Sequence, residues 1–138
     1  MATGVTHWYS ASLTGLVAAS ESVPIPVNFV SGNANTQITF QQMAGDRITA
    51  IRIKRVGAAS ATDYDIHVYK DSLGTDQAYS VYEIAFNADL KWDYSVSDLN
   101  IDARAAGTRL YVAGIINSGA DPINVDVEIG VSQVIGGI

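Results

Sequence analysis

The 138-residue sequence predicts an all-β fold: a single antiparallel β-sandwich, jelly-roll-like, of about eight strands. Three observations carry that prediction. Apolar and polar residues alternate at period two in several separate runs, the mark of strands with one dry and one wet face. Clusters of Gly, Asn, Asp and Ser interrupt those runs at regular spacing, as a sandwich requires. No segment carries a sustained helical stripe.

The elements follow in order. "THWYSAS" is a weak strand candidate near the N-terminus. "PIPVNFV" contains Pro24 and Pro26, which lack an amide donor, so it reads as an edge strand. "TQITF" is a second weak candidate. "ITAIRIKRV" changes phase, with Ile48 and Ala50 on one parity and Ile51 and Ile53 on the other; a bulge near Ala50 reconciles them. "YDIHVYK" points Tyr64, Ile66 and Val68 inward and Asp65, His67 and Tyr69 outward. "TDQAYSVYEIAFNADLKW" is the one stretch whose pattern admits a short turn of helix. "TRLYVAGIIN" is apolar on both sides and reads as a central strand, with Gly114 marking a bulge or a close approach. "NVDVEIGVSQV" sets Val125, Val127, Ile129 and Val131 against Asn124, Asp126 and Glu128, a half-buried strand. Turn signals fall at 31–35, 44–46, 56–62, 71–76 and 117–122.

Composition narrows the function classes. Apolar residues make up 48% and charged residues 16%, and the net charge is −6. That balance opposes non-specific nucleic-acid binding, which needs a positive field to displace counterions. The sequence has no cysteine, which removes disulfides and thiolate chemistry together. A basic leader with a long apolar core is missing, and the apolar runs fall far short of the roughly 20 residues of a membrane helix. The expectation is a protein made in the cytoplasm without a signal peptide and without a membrane partner.

Charge is unevenly placed. Between Met1 and Gly45 the one Asp, Glu, Lys or Arg is Glu21. An uncharged third is either strand with a Ser, Thr, Asn and Gln face, or a surface covered by another chain, since interface cores are depleted in charge. On the second reading Trp8, Tyr9, Leu13, Leu16 and Val17 are candidate subunit or particle contacts. Residues 1–20 and 132–138 would then be extended arms of the single domain spanning 1–138.

Candidate chemistry centres on "DYDIHVYKDS". Asp63, Asp65, His67 and Asp71 are potential ligands, but strand geometry separates them, and calcium needs six to eight oxygens. A solvated strand face explains the pattern, with a weak calcium site at Asp71 and Asp76 as the remaining metal option; no cofactor is expected. Nucleophilic catalysis lacks a G-x-S-x-G context, and Asp93, Asp98 and Asp102 form no motif, so an enzyme is not expected. Trp92 and Tyr94, like Trp8 and Tyr9, are either core or interface aromatics, or plates on which a sugar ring stacks. Arg47, Arg52, Lys54 and Arg55 are expected to pair with acidic residues.

Two stretches, "DYDIHVYKDSLGTDQAYSVYEI" and "LYVAGIINSGADPINVDVEIGV", resemble a β-sandwich module of tailed-bacteriophage virion proteins. The first part matches at Asp65, Ile66, Val68, Tyr69, Asp71, Ser72 and Tyr79. The second matches at Leu110, Val112, Asn117, Gly119, Val125, Val127 and Ile129. The resemblance covers about half of the chain, from Ala50 to Val131, and "LYVAGIIN" carries more residues before Asn117 than the module's pattern. It implies a virion structural protein: a head decoration protein binding the major capsid protein or other virion proteins, or a tail or fibre component. A homotrimer or other symmetric assembly is implied with it. The alternative from the residues alone is a carbohydrate-binding sandwich.

Overall fold

The computed structural model describes residues 3–29, 47–56, 63–86, 91–102, 110–117 and 122–135. "TQITF", the turn signals at 31–35 and 44–46, positions 57–62 and 118–121 of two further turn signals, and residues 136–138 lie outside the described residues. Among the described residues there is no helix, and ten strands form two antiparallel sheets. They are β1 (Thr3–Leu16), β2 (Ile25–Pro26), β3 (Asn28–Phe29), β4 (Arg47–Val56), β5 (Tyr64–Tyr69), β6 (Gln77–Ile84), β7 (Tyr94–Val96), β8 (Ile101–Asp102), β9 (Tyr111–Ile116) and β10 (Ile123–Ile135).

The first sheet runs β3-β1-β10-β4-β7, with β8 also on β4; the second runs β2-β9-β5-β6. The pairing is nested. β1 lies on β10, β2 on β9, β4 on β7 and β5 on β6. A long hairpin folded over on itself gives this order, with its strands shared between the two sheets of the sandwich. The chain changes sheet beside two prolines. Pro24 precedes and Pro26 ends a two-residue edge strand, the chain crosses at the buried Val27, and from the next residue it is an edge of the other sheet.

Inward parity holds as the alternation predicts. Leu13, Ile53, Ile66, Val112, Val127 and Ile129 are each at most 2% exposed between the sheets. Burying one such side chain stabilises by roughly 1.5–3 kcal/mol. The phase change in β4 is a bulge: Gly130 pairs with Ala50 and Val131 with Ile48, leaving Thr49 as the extra residue. Its carbonyl accepts from the Leu99 amide at 3.0 Å and its hydroxyl meets Ser132 Oγ at 3.0 Å. Gly114 is a close approach. A Cβ there would stand 2.8 Å from Leu16 Cδ1 and 3.2 Å from the Asp65 carbonyl.

Three expectations change. The stretch that admitted a helical turn contains strand β6, paired to β5 with a two-residue bulge at Tyr82 and Glu83. Glu83 takes a positive φ of 55°, and its amide donates to Asp65 Oδ1 at 2.8 Å. The N-terminal segment is no detached arm, because β1 is the longest strand at 14 residues and sits between β3 and β10. Residues 132–135 likewise belong to β10. Lastly, the outward side of β5 is dry at two positions. His67 and Tyr69 are 9% and 6% exposed because the segment before β2 covers them, tied to β9 through Ser22 and Gly114.

Candidate functional site

The outer face of the first sheet assembles side chains from strands distant in sequence. Trp8, Gly130 and Ala50 are directly opposed across β1, β10 and β4, and Ser10, Glu128, Arg52 and Ser95 form the row beside them. Gly130 and Ala50 leave a trough for the indole of Trp8. A Cβ at 130 would sit 3.3 Å from Trp8 Cη2 and 3.2 Å from the Ala50 Cβ. The Arg52 guanidinium then lies 3.8 Å from the Trp8 ring centroid and 4.8 Å from that of Trp92. Glu128 Oε1 accepts from Arg52 Nε at 2.7 Å and pairs with Nη2 at 2.5 Å. One cation is thus held between two indoles and oriented by one carboxylate, and each such contact is worth about 0.5–2 kcal/mol. One row further on, Ser12 Oγ donates to Asp126 Oδ1 at 2.8 Å, with Lys54 opposite Asp126.

The expected contact residues divide between this face, the core and the segment after β1. Trp8 is half-buried on the face and Val17 is 36% exposed, whereas Tyr9, Leu13 and Leu16 are 7%, 2% and 0% exposed inside the chain's own sandwich. Parity dictates this, since Tyr9, Ala11 and Leu13 alternate with Trp8, Ser10 and Ser12. Those three side chains are core residues and present nothing to a second subunit. The pair Trp92 and Tyr94 is also split. Trp92 stacks on Arg52, while Tyr94 packs against the core and its hydroxyl meets that of Tyr79 at 3.0 Å. That contact joins the edge of one sheet to the edge of the other. Burial, then the bond to Tyr94, pushes the Tyr79 phenol up to about 12. Arg52 lies over the Trp92 ring, and Lys91 Nζ is 5.7 Å from its centroid. The indole therefore already serves the chain's own cations, which disfavours it as a sugar plate.

Several other titratable groups among the described residues are engaged in structure. Asp71 accepts from the amides of Thr75 and Asp76 at 2.9 and 3.0 Å and from the Thr75 hydroxyl. These donors, the Thr75 hydroxyl foremost, hold its carboxyl below the usual range. These bonds close the loop between Asp71 and Asp76 as a turn held by a side-chain carboxylate. Among the described residues no group of three or more His, Asp or Glu is arranged for a metal. His67 Nδ1 meets Ser80 Oγ at 2.7 Å, and its Nε2 lies 3.5 Å from Glu21 Oε2. Glu21 in turn accepts from Tyr69 at 2.8 Å, and burial followed by this bond raises the Tyr69 phenol. Ser80 is the residue directly opposite His67, so this contact is a cross-strand hydrogen bond of the second sheet. Arg55 is 1% exposed and packs on Phe86 at 4.4 Å; its amide and the Tyr64 hydroxyl both donate to Asp93 Oδ2, at 2.8 and 2.7 Å.

No family model and no curated protein matches the sequence. Solved structures do. A chain of the acidic stable capsid structure of Helicobacter pylori bacteriophage KHP30 is similar over 98% of this chain and 97% of its own, at 11% identity and a TM-score of 0.51. The fold is shared with a phage capsid chain. A chain of the cyanophage Pam1 capsid asymmetric unit is similar over 96% of this chain and 86% of its own, at 10% identity and a TM-score of 0.46. The fold shared with the KHP30 chain agrees with the resemblance carried by "DYDIHVYKDSLGTDQAYSVYEI" and "LYVAGIINSGADPINVDVEIGV".

Proposed function

We propose that the protein is a non-enzymatic structural component of a phage virion, a decoration protein that binds the assembled head and stabilises it through contacts with the shell protein. The carrying observation is the fold match to the KHP30 capsid chain along 98% of this sequence. Because the match runs through the whole sandwich, little of the chain is left over as a separate catalytic unit. The outer face supports the same reading. Trp8, Arg52 and Trp92 form a stacked, half-buried surface of the residue types that dominate protein–protein anchors. Such a protein acts by buried contact area and shape, with no bond made or broken.

The test is direct localisation. An antibody against the purified protein is expected to label the heads of particles from a lysate that contains it. Label confined to tails, or protein recovered solely in the soluble fraction, overturns the reading.

A further inference from the structure

Two of the most exposed large apolar side chains lie on segments that meet beside the second sheet. Val23, in the lead-in to β2, is 78% exposed, and Leu73, in the loop between β5 and β6, is 81% exposed. The segments meet where a Cβ on Gly74 would lie 3.3 Å from Pro24 Cγ and 3.6 Å from the Tyr69 ring. Neither side chain has a role in the core.

Both are held on prepared backbone. Leu73 stands on a loop closed by Lys70 N to Asp76 O at 2.7 Å and cross-braced by the Asp71 carboxylate to Thr75 and Asp76. Gly74 takes the left-handed φ of 71° that the turn demands. Val23 precedes Pro24, whose ring fixes its own φ and restricts the residue before it. Anchors held in place before contact lose little ordering entropy on binding. Around them, Glu21, Asp71 and Asp76 are acidic and Lys70 is basic. The buried Tyr69 ties Glu21 to the loop, since its hydroxyl reaches Glu21 at 2.8 Å and its ring faces Gly74.

We infer that Val23 and Leu73 form a preorganised apolar anchor pair with an acidic collar, which docks into an apolar recess rimmed by lysine or arginine on a different protein, the shell protein of the particle. The occupant follows from charge: an acidic rim on a chain of net charge −6 repels a second copy and favours a basic surface. The inference rests on the decoration reading and assigns it a contact surface separate from the Trp8 face.

The probe is heads purified from a phage strain lacking the gene. Wild-type protein is expected to bind them, more weakly as sodium chloride is raised, because the collar's contribution is screened. Val23→Ser with Leu73→Ser is expected to lower affinity at least about ten-fold while melting as wild type does, both side chains being exposed. Leu73→Ser alone serves if the double variant melts early. Asp76→Lys is expected to weaken binding and flatten its salt dependence. Undiminished binding by the serine variants, or salt-independent binding, overturns the inference and leaves the decoration reading intact. Loss of self-association in Leu73→Ser overturns it in favour of a second copy. Failure of wild-type protein to bind the heads overturns both.

Discussion

A single missing methyl group organises the outer face of the first sheet. Because Gly130 has no Cβ, Trp8 lies across β10 and meets Arg52 at 3.8 Å. Gly130→Val is expected to lift the indole and break the stack, costing about 1–3 kcal/mol as overpacking does. Urea unfolding followed by tryptophan emission would measure both effects, and an unchanged midpoint would remove Gly130 from this role. The sequence predicts that Arg52 and Glu128 face outward, since each belongs to a run of alternation. It does not reveal that they are opposite each other, because register between β4 and β10 is set by strands far apart in the chain. His67 marks the other limit. Its outward parity is legible, but the cover over it comes from Glu21, 46 positions earlier, and nothing local signals that.

Among elements, β1 departs furthest from sequence expectation, whereas the loop after β5 is the turn expected at 71–76. β1 buries Leu13 and Leu16 and forms the middle of a sheet, so deleting residues 1–20 is expected to unfold the domain, seen as loss of near-ultraviolet circular dichroism. A folded, soluble truncation would contradict that placement. "THWYSAS" looked weak because Ser and Thr occupy its wet face where charged residues usually mark the alternation. For the loop, Asp71 has a lowered pKa in the folded state, so its ionised contacts are present above the ordinary carboxylate value of 3.8 and are lost as pH falls through the lower folded value. Amide exchange at Thr75 and Asp76, corrected for its intrinsic pH dependence, is expected to accelerate in that acid range and not above it. Equal protection on both sides would show that the carboxylate does not hold the turn.

For the molecule as a whole, the sandwich is closed by tyrosines that must remain neutral. Burial raises the phenols of Tyr64, Tyr69 and Tyr79, the last to about 12. Their contribution to stability is complete below the unfolded value of 10 and declines as pH rises through the folded values. The protein is therefore expected to lose stability from about pH 10 upward, with tyrosinate absorbance rising together with unfolding. Independent titration of the phenols in a folded protein would refute this. The fold class was legible because alternation and turn spacing are local properties of the chain. The nested pairing was not, since it depends on which strands meet and not on what each strand is.

That nesting bears on how the molecule is made. In the first sheet Thr3 pairs with Ile135 and Leu13 with Val125, so β10 supplies a neighbour to both β1 and β4. Until β10 has been synthesised, β1 and β4 have no strand to join them, and each carries an apolar face in search of a partner. Contacts this distant in sequence close slowly, because the loop entropy is lost before any contact compensates for it. The sheet thus assembles only once β10 is available, and the interval before that strand docks is when nascent chains are most exposed to pairing with one another.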